Sequence, residues 1–207
     1  MSKPDYSRRD LLRHIGISLA MGSAGEYVLA AQDVQHVHQA VAQEKTQKGR
    51  YVPKGLNAHE YATLQRLSDL IIPADERSPG ALAANSADFI DFLCSGSDEM
   101  KLIYTGGIAW LDEAMRHRYD GQDFLGAAAE QQTAMLDLIA YRENREQDAS
   151  LAPGIDFFTW ARKMVADAYY TSPIGSKDLG YMGNTALTHF SVPQEAIDYA
   201  IKRSPFA

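Results

Sequence analysis

The sequence predicts an all-α protein: a single compact helical domain of about five to six helices with long irregular loops, preceded by a leader and a polar linker. Apolar side chains recur at helical spacing in one segment after another, and the alternating Val, Ile and Thr typical of strands are absent from the sequence. Caps and helix breakers separate these segments. We therefore divide the 207 residues into a leader at 1–31, a polar linker or arm at 32–56 and a helical domain at 57–207.

The leader has the pattern of a twin-arginine export signal. Arg8 and Arg9 precede an apolar run at 15–31 that is short and diluted by serine, glycine and glutamate. A receptor reads such a signal, which is not itself an anchor. We expect a periplasmic protein that engages the twin-arginine translocase, with small residues at 28–30 available for cleavage. An amphipathic N-terminal helix of a cytosolic protein is the alternative.

The segment after the leader is polar. Residues 33–50 are rich in Gln, Lys, Glu and His and contain few large apolar side chains. This composition predicts a solvated linker, or an arm that orders only on contact.

The first helix of the domain is predicted from Ala58 to Ile72. Asn57 is a good N-cap, and Glu60 stands three places later in a pattern related to the capping box. Pro73 ends the helix and opens a polar turn that reaches Ala81.

Five further helices follow, each with an apolar stripe beside a cap or a breaker. The first carries Phe89, Ile90, Phe92 and Leu93 on its buried side, and the second is marked by Ile103, Ile108, Trp110, Leu111 and Met115. The third is capped by Asp123 and runs towards Arg142, and the fourth is capped by Asp156 and carries Phe157, Trp160, Met164, Val165 and Ala168. The fifth is a short helix from Gln194 to Lys202. Gly106 and Gly107 form a weak point in the second of these.

Charge and composition exclude several kinds of partner. The formal net charge is −7, whereas nucleic acids and anionic membranes are bound through clustered Lys and Arg. After Ala31 no apolar segment is long enough to cross a membrane. One cysteine permits no internal disulfide and no all-cysteine metal site.

The sequence also lacks the motifs of the common cofactor sites. It has no Gly-rich dinucleotide fingerprint for FAD or NAD, no Cys-x-x-Cys-His for haem c, no phosphate-binding loop and no nucleophile elbow. We therefore expect no catalytic, cofactor-binding or metal-binding residues in this chain.

Two pairs of polar residues were weighed as possible sites. His36 and His38 would share a face only in an extended segment, where they could bind a metal. Asp88 and Asp91 lie three residues apart on a predicted helix and could act as an acid and base pair, although a solvated or capping pair is the simpler interpretation.

Four other residues have plainer interpretations. His117 and His189 lack an adjacent acidic residue that would suggest a triad. Trp110 and Trp160 are expected in the core, because large aromatic side chains at helical spacing usually pack there.

Two longer segments are more specific. One is LSDLIIPADERSPGA at 67–81, followed by 89–91, and the other is 156–158 continuing through AYYTSPIGSKDLGYMGN at 168–184. Together they resemble the gluconate 2-dehydrogenase subunit 3 family, the small subunit of periplasmic flavin-dependent sugar and sugar-acid dehydrogenases. The resemblance spans about 58–184, and the leader fits the same family.

The resemblance implies a noncatalytic subunit. In this family the small subunit accompanies a large FAD-bearing subunit of the glucose-methanol-choline oxidoreductase type, which lacks an export signal. It assists the folding and twin-arginine export of that subunit, and a cytochrome c subunit with haem c often joins the complex. The alternative is an independent periplasmic enzyme or ligand-binding protein with a pocket near Asp75, Asp88 or His189.

The second segment also has the composition of a partner interface. Tyr169, Tyr170 and Tyr181 are large amphipathic side chains of the type enriched at binding hot spots. Pro173 belongs to a loop with special turns, which Lys177 can fix by polar contacts. A loop that only closes the domain's own core is the other interpretation.

Cys94 is left as a single unpaired thiol. It is either buried like a small apolar side chain or half of a disulfide to another subunit. Its apolar neighbours favour burial.

Overall fold

The computed structural model describes residues 31–181 and 191–204, and within these ranges every regular element is helical. This confirms the predicted all-α class and the single helical domain. The elements are α1 Ala31–Lys48, α2 Ala58–Ile71, α3 Gly80–Ala83, α4 Ser86–Gly96, α5 Asp98–Arg118, α6 Ala129–Ala140, α7 Asn144–Gln147, a 3₁₀ turn Ala149–Leu151, α8 Ala152–Tyr170, α9 Pro173–Asp178 and α10 Gln194–Arg203.

Helix α8 is the centre of the domain. It packs against α2, α3, α4, α5, α6 and α9. Its contact with α5 is close, because Gly107 lies under the Phe157 ring and Gly154 lies under the Trp110 indole. A Cβ at Gly107 would stand 2.0 Å from Phe157 Cδ2, and one at Gly154 would stand 2.0 Å from Trp110 Cζ3.

The glycine pair that we expected to weaken α5 does not interrupt the helix. Gly107 faces α8 and permits the close contact, whereas a Cβ at Gly106 would meet nothing within 4 Å. The packing of α5 against α8 therefore offsets the low helix propensity of glycine.

The start of α2 agrees with the capping box predicted from the sequence. Asn57 Oδ1 accepts a hydrogen bond from Glu60 N at 2.9 Å, and Glu60 Oε2 accepts one from Asn57 N at 2.8 Å. Both bonds are local in the chain, so the sequence alone could specify them.

Two of the expected caps act differently. Asp123 accepts a bond from Gly126 N in a turn, and α6 begins only at Ala129. Helix α8 begins four residues before Asp156, at Ala152, because Pro153 in its first turn presets the helical φ. Asp156 instead forms an ion pair with Arg145.

The segment predicted as a solvated linker differs from that prediction. It forms α1, which packs against α4. Val34, Val37 and Val41 are buried, and their spacing of three and four residues places them on one face of the helix. The general polarity of the segment conceals this narrow apolar stripe.

The last described helix, α10, has no buried residue. Among the described helices, none is long and apolar enough to span a membrane.

Candidate functional site

The two sequence segments singled out above meet at the side chain of Tyr169. Its phenol donates a hydrogen bond to Asp178 Oδ2 at 3.0 Å and is hydrogen-bonded to Ser78 Oγ. The Tyr169 side chain is 0% exposed. It therefore joins the turn after α2 to the segment that carries α9, from inside the core.

The turn after α2 is held by its own backbone contacts. Asp75 Oδ1 accepts hydrogen bonds from Arg77 N at 2.8 Å and Ser78 N at 2.7 Å, and these bonds lower the pKa of Asp75. Gly80 has φ +75°, and a Cβ there would stand 2.6 Å from Ala74 N. Asp75 therefore holds the turn together through these two bonds.

Helix α9 is fixed at both ends. Ser172 Oγ caps its start by accepting a bond from Gly175 N at 3.0 Å. At its end Gly180 has φ +65°, its N–H bonds to Lys177 O at 3.0 Å, and Tyr181 N bonds to Ser176 O at 3.0 Å. This is the Schellman pattern, and it fixes the backbone direction through Leu179 and Tyr181.

The ends of α8 and α9 present an exposed apolar surface on this fixed backbone. Tyr170 is 42% exposed, Leu179 61% and Tyr181 63%. The exposed residues Pro173 and Lys177 lie between them in the chain. We call Tyr170, Pro173, Lys177, Leu179 and Tyr181 the junction surface.

The predicted interface residues thus divide into two groups. Tyr170, Pro173, Lys177 and Tyr181 are exposed, whereas Tyr169 is buried and cannot offer its ring to a partner in this arrangement. The physical reason is helical rotation: Ala161, Val165 and Tyr169 lie four residues apart on the buried face of α8. Leu179 was missed by sequence reasoning, although its place directly before the capping Gly180 was a usable signal.

Asp91 is neither solvated nor available for acid and base chemistry. Its side chain is fully buried in α4. Oδ2 accepts from the Tyr51 hydroxyl and Lys54 N, each at 2.8 Å, while Oδ1 accepts from Gly55 N at 3.1 Å and Leu56 N at 2.8 Å. Burial and this carboxylate raise the pKa of Tyr51. Asp91 therefore fastens the 51–56 segment to α4.

Asp88 serves a second structural contact one turn earlier. It pairs with Lys45 Nζ of α1 at 3.1 Å and accepts a hydrogen bond from the Tyr61 hydroxyl of α2. Burial and this bond raise the pKa of Tyr61. The two aspartates, a candidate acid and base pair in the sequence, therefore hold α1, α2 and the 51–56 segment on α4.

His36 and His38 have different surroundings on α1. His36 is exposed, whereas the His38 ring packs on Phe89, with ring centroids 4.7 Å apart, and His38 Nε2 lies 3.0 Å from Thr171 Oγ1. Over the parts of the chain that the structure describes, no group of three or more His, Cys, Asp or Glu is placed to hold a metal ion. His189 lies outside the described residues.

Two other histidines have acidic partners. His117 Nε2 lies 3.1 Å from Glu113 Oε1 one helical turn earlier, on an exposed face of α5. His59 Nε2 lies 2.6 Å from Asp112 Oδ2, a pair that links α2 to α5 and that the sequence analysis missed. Asp112 Oδ1 also accepts from Phe124 N at 3.1 Å, so this carboxylate orders the turn after α5.

An open groove of about 460 Å³ lies beside Trp110 and is floored by Met135 and Leu151. Its rim carboxylates already have partners. Asp148 accepts from Ser150 N at 2.9 Å and Ser150 Oγ at 2.6 Å, and these bonds lower the pKa of Asp148. Trp110 and Trp160 both pack against the core, as expected.

Cys94 is buried beneath the 51–56 segment. A Cβ on Gly55 would stand 2.6 Å from Cys94 Cβ, and burial raises the pKa of the thiol to about 12. These facts favour packing, and the intersubunit disulfide stays a prediction.

The family model of gluconate 2-dehydrogenase subunit 3 matches residues 58–187. The chain belongs to this family. The matched residues include α2 through α9 and therefore the whole junction surface, whereas α1 precedes them. Membership indicates a small subunit of a dehydrogenase complex. No curated protein and no solved structure matches the chain.

Proposed function

We propose that this gluconate 2-dehydrogenase subunit 3 protein is the noncatalytic small subunit of an exported FAD-dependent dehydrogenase. Its large partner is of the glucose-methanol-choline type and oxidises a sugar, a sugar acid or a glycoside. The small subunit assists the folding and twin-arginine export of that partner and stays in the complex. The junction surface carries this proposal, because it lies within the family-matched residues and the backbone of α9 is capped at both ends.

The junction surface has the chemistry of a protein interface. Tyr170, Leu179 and Tyr181 supply exposed apolar area, and the exposed Lys177 adds a charge. Tyr169 and the two caps of α9 fix the backbone beneath these side chains. A surface that is ordered before binding loses less conformational entropy when the partner docks.

Four carboxylates of the domain serve its own structure. Asp75, Asp88, Asp91 and Asp112 each accept hydrogen bonds from the protein itself. They therefore hold the fold that presents the junction surface. FAD belongs to the large subunit in this proposal, and haem c belongs to a cytochrome where a third subunit is present.

Export is proposed from the leader. Arg8 and Arg9 lie outside the described residues, so the argument rests on their sequence pattern. A partner without its own signal would reach the periplasm only in complex with this chain.

The test is capture of the large subunit by the tagged small subunit from cells that make both. We expect Tyr170→Ala and Tyr181→Ala each to weaken association by about 2 kcal/mol, the scale of aromatic hot spots. Tyr141→Ala is the matched control, because Tyr141 is 61% exposed but does not belong to the junction surface. It lies four residues before Arg145, which pairs with Asp156 near the start of α8.

Circular dichroism establishes that each variant is folded. Equal capture by the wild type and by both junction variants would show that the junction surface serves only its own domain.

A further inference from the structure

Helix α1 begins directly after the predicted leader and contacts the base of the junction surface. His38 Nε2 lies 3.0 Å from Thr171 Oγ1. Thr171 is the residue between Tyr170 and the Ser172 cap of α9, so it stands at the joint between α8 and α9. The segment that follows the leader therefore contacts the joint that sets the direction of α9.

The hydrogen-bond pattern at this joint has one consistent direction. The Thr171 hydroxyl donates to Asp167 O at 2.5 Å. Its oxygen is then free to accept, so His38 Nε2 carries a proton and donates to it. The His38 ring also packs on Phe89 of α4, with centroids 4.7 Å apart. His38 thus bridges α4 and the joint, and it makes both contacts only while α1 is packed on α4.

We call the packed position of α1 on α4 its seat, and α1 in that position seated. This position depends on the folded core. Its three buried valines, Val34, Val37 and Val41, form the apolar stripe that packs on α4. Lys45 Nζ then reaches Asn85 Oδ1 at 2.5 Å and Asp88 Oδ2 at 3.1 Å, both near the start of α4. These partners lie 40 or more residues away in the chain, so the contacts of α1 depend on the tertiary fold.

The charges at the end of α1 strengthen the same seat. Glu44 is buried and pairs with Lys48 Nζ at 3.0 Å and with Lys54 Nζ. The pair with Lys54 lowers the pKa of Glu44. Since Lys54 N bonds to Asp91, the helix and the 51–56 segment are fastened to α4 as one unit.

We propose that α1 couples the export leader to the partner-binding surface: seated α1 holds the α8–α9 joint in its binding conformation, and partner binding in turn stabilises the seat. The inference rests on the proposed function and adds its regulation. Because coupling between two sites is reciprocal, the factor by which seating strengthens partner binding equals the factor by which the partner stabilises seating.

The first experiment measures the joint without a partner, in the full chain. We expect His38→Ala to increase the amide hydrogen exchange rates of residues 175–181 by about fivefold to tenfold, within the range of site-to-site coupling. Thr171→Val removes the same bond from the other side and should have a similar effect. His36→Ala is the matched control, since His36 is exposed on the same helix. Unchanged exchange in both His38→Ala and Thr171→Val would overturn the coupling.

The second experiment measures the affinity of the same variants for the proposed large FAD-bearing subunit. We expect His38→Ala to lose a similar fivefold to tenfold in affinity, while His36→Ala binds like the wild type. Faster exchange with unchanged affinity would overturn the inference and leave the proposed function intact, provided that Tyr181→Ala still lowers capture. If the wild-type chain binds no large subunit, the proposed function is refuted and this inference with it.

Discussion

Replacement of Asp91 by asparagine tests how strongly the 51–56 segment is held on α4. In the better of the two amide orientations, the amide nitrogen takes the place of Oδ2. The Tyr51 hydroxyl can rotate and accept, but the Lys54 N–H loses its acceptor in a buried site. An unpaired buried donor costs about 1–3 kcal/mol, and the bonds from Gly55 and Leu56 change from charge-assisted to neutral at about 1 kcal/mol each. Because a neutral amide is easier to bury, we expect a net loss of about 3 kcal/mol.

The assay is urea denaturation followed by circular dichroism, with the slope of the transition compared between variants. Asp156→Asn is the matched control, because Asp156 is exposed and its ion pair with Arg145 lies on the surface. An exposed pair contributes less than about 1 kcal/mol. If Asp91→Asn costs no more than this control, the four hydrogen bonds do not hold the segment and the reasoning is refuted.

Three further predictions concern the core, the pH response and export. Gly107→Ala should destabilise the domain by about 1–3 kcal/mol through overpacking, whereas Gly106→Ala should stabilise it by about 1 kcal/mol through helix propensity; equal denaturation midpoints would contradict both. Burial lowers the pKa of His38 from 6.5, so undocked α1 binds a proton more readily and its seating should weaken as pH falls below about 6.5. Amide exchange of α1 measures this, and His38→Gln should abolish the pH dependence. Changing Arg8 and Arg9 together to Lys should retain this chain and its partner in the cytoplasm, and normal export on fractionation would reject the leader.

Local signals explain which elements could be predicted from the sequence. The capping box of α2 involves residues three apart, and the stripe of α8 recurs within one helix, so both could be anticipated. The seat of α1 could not, because Lys45 finds Asp88 and Tyr51 finds Asp91 about 40 residues away. Sequence spacing does not report such contacts.

The junction surface shows the same limit within two adjacent residues. Tyr169 and Tyr170 are identical in type, yet one rotation of about 100° along α8 buries the first and exposes the second. Their composition predicted a surface, while their helical phase decides which ring contributes to it. Leu179 could have been added from its place directly before Gly180, the residue that caps α9 with φ +65°.

The most direct measurement of the central claim is the visible spectrum of the tagged chain purified from the periplasm of cells that also make the proposed large subunit. The account predicts a flavin spectrum, carried by a large subunit of the glucose-methanol-choline type that co-elutes with this chain and is identified by mass spectrometry. A folded, colourless chain that elutes alone from the periplasm, with the large subunit present in the same cells, would contradict it.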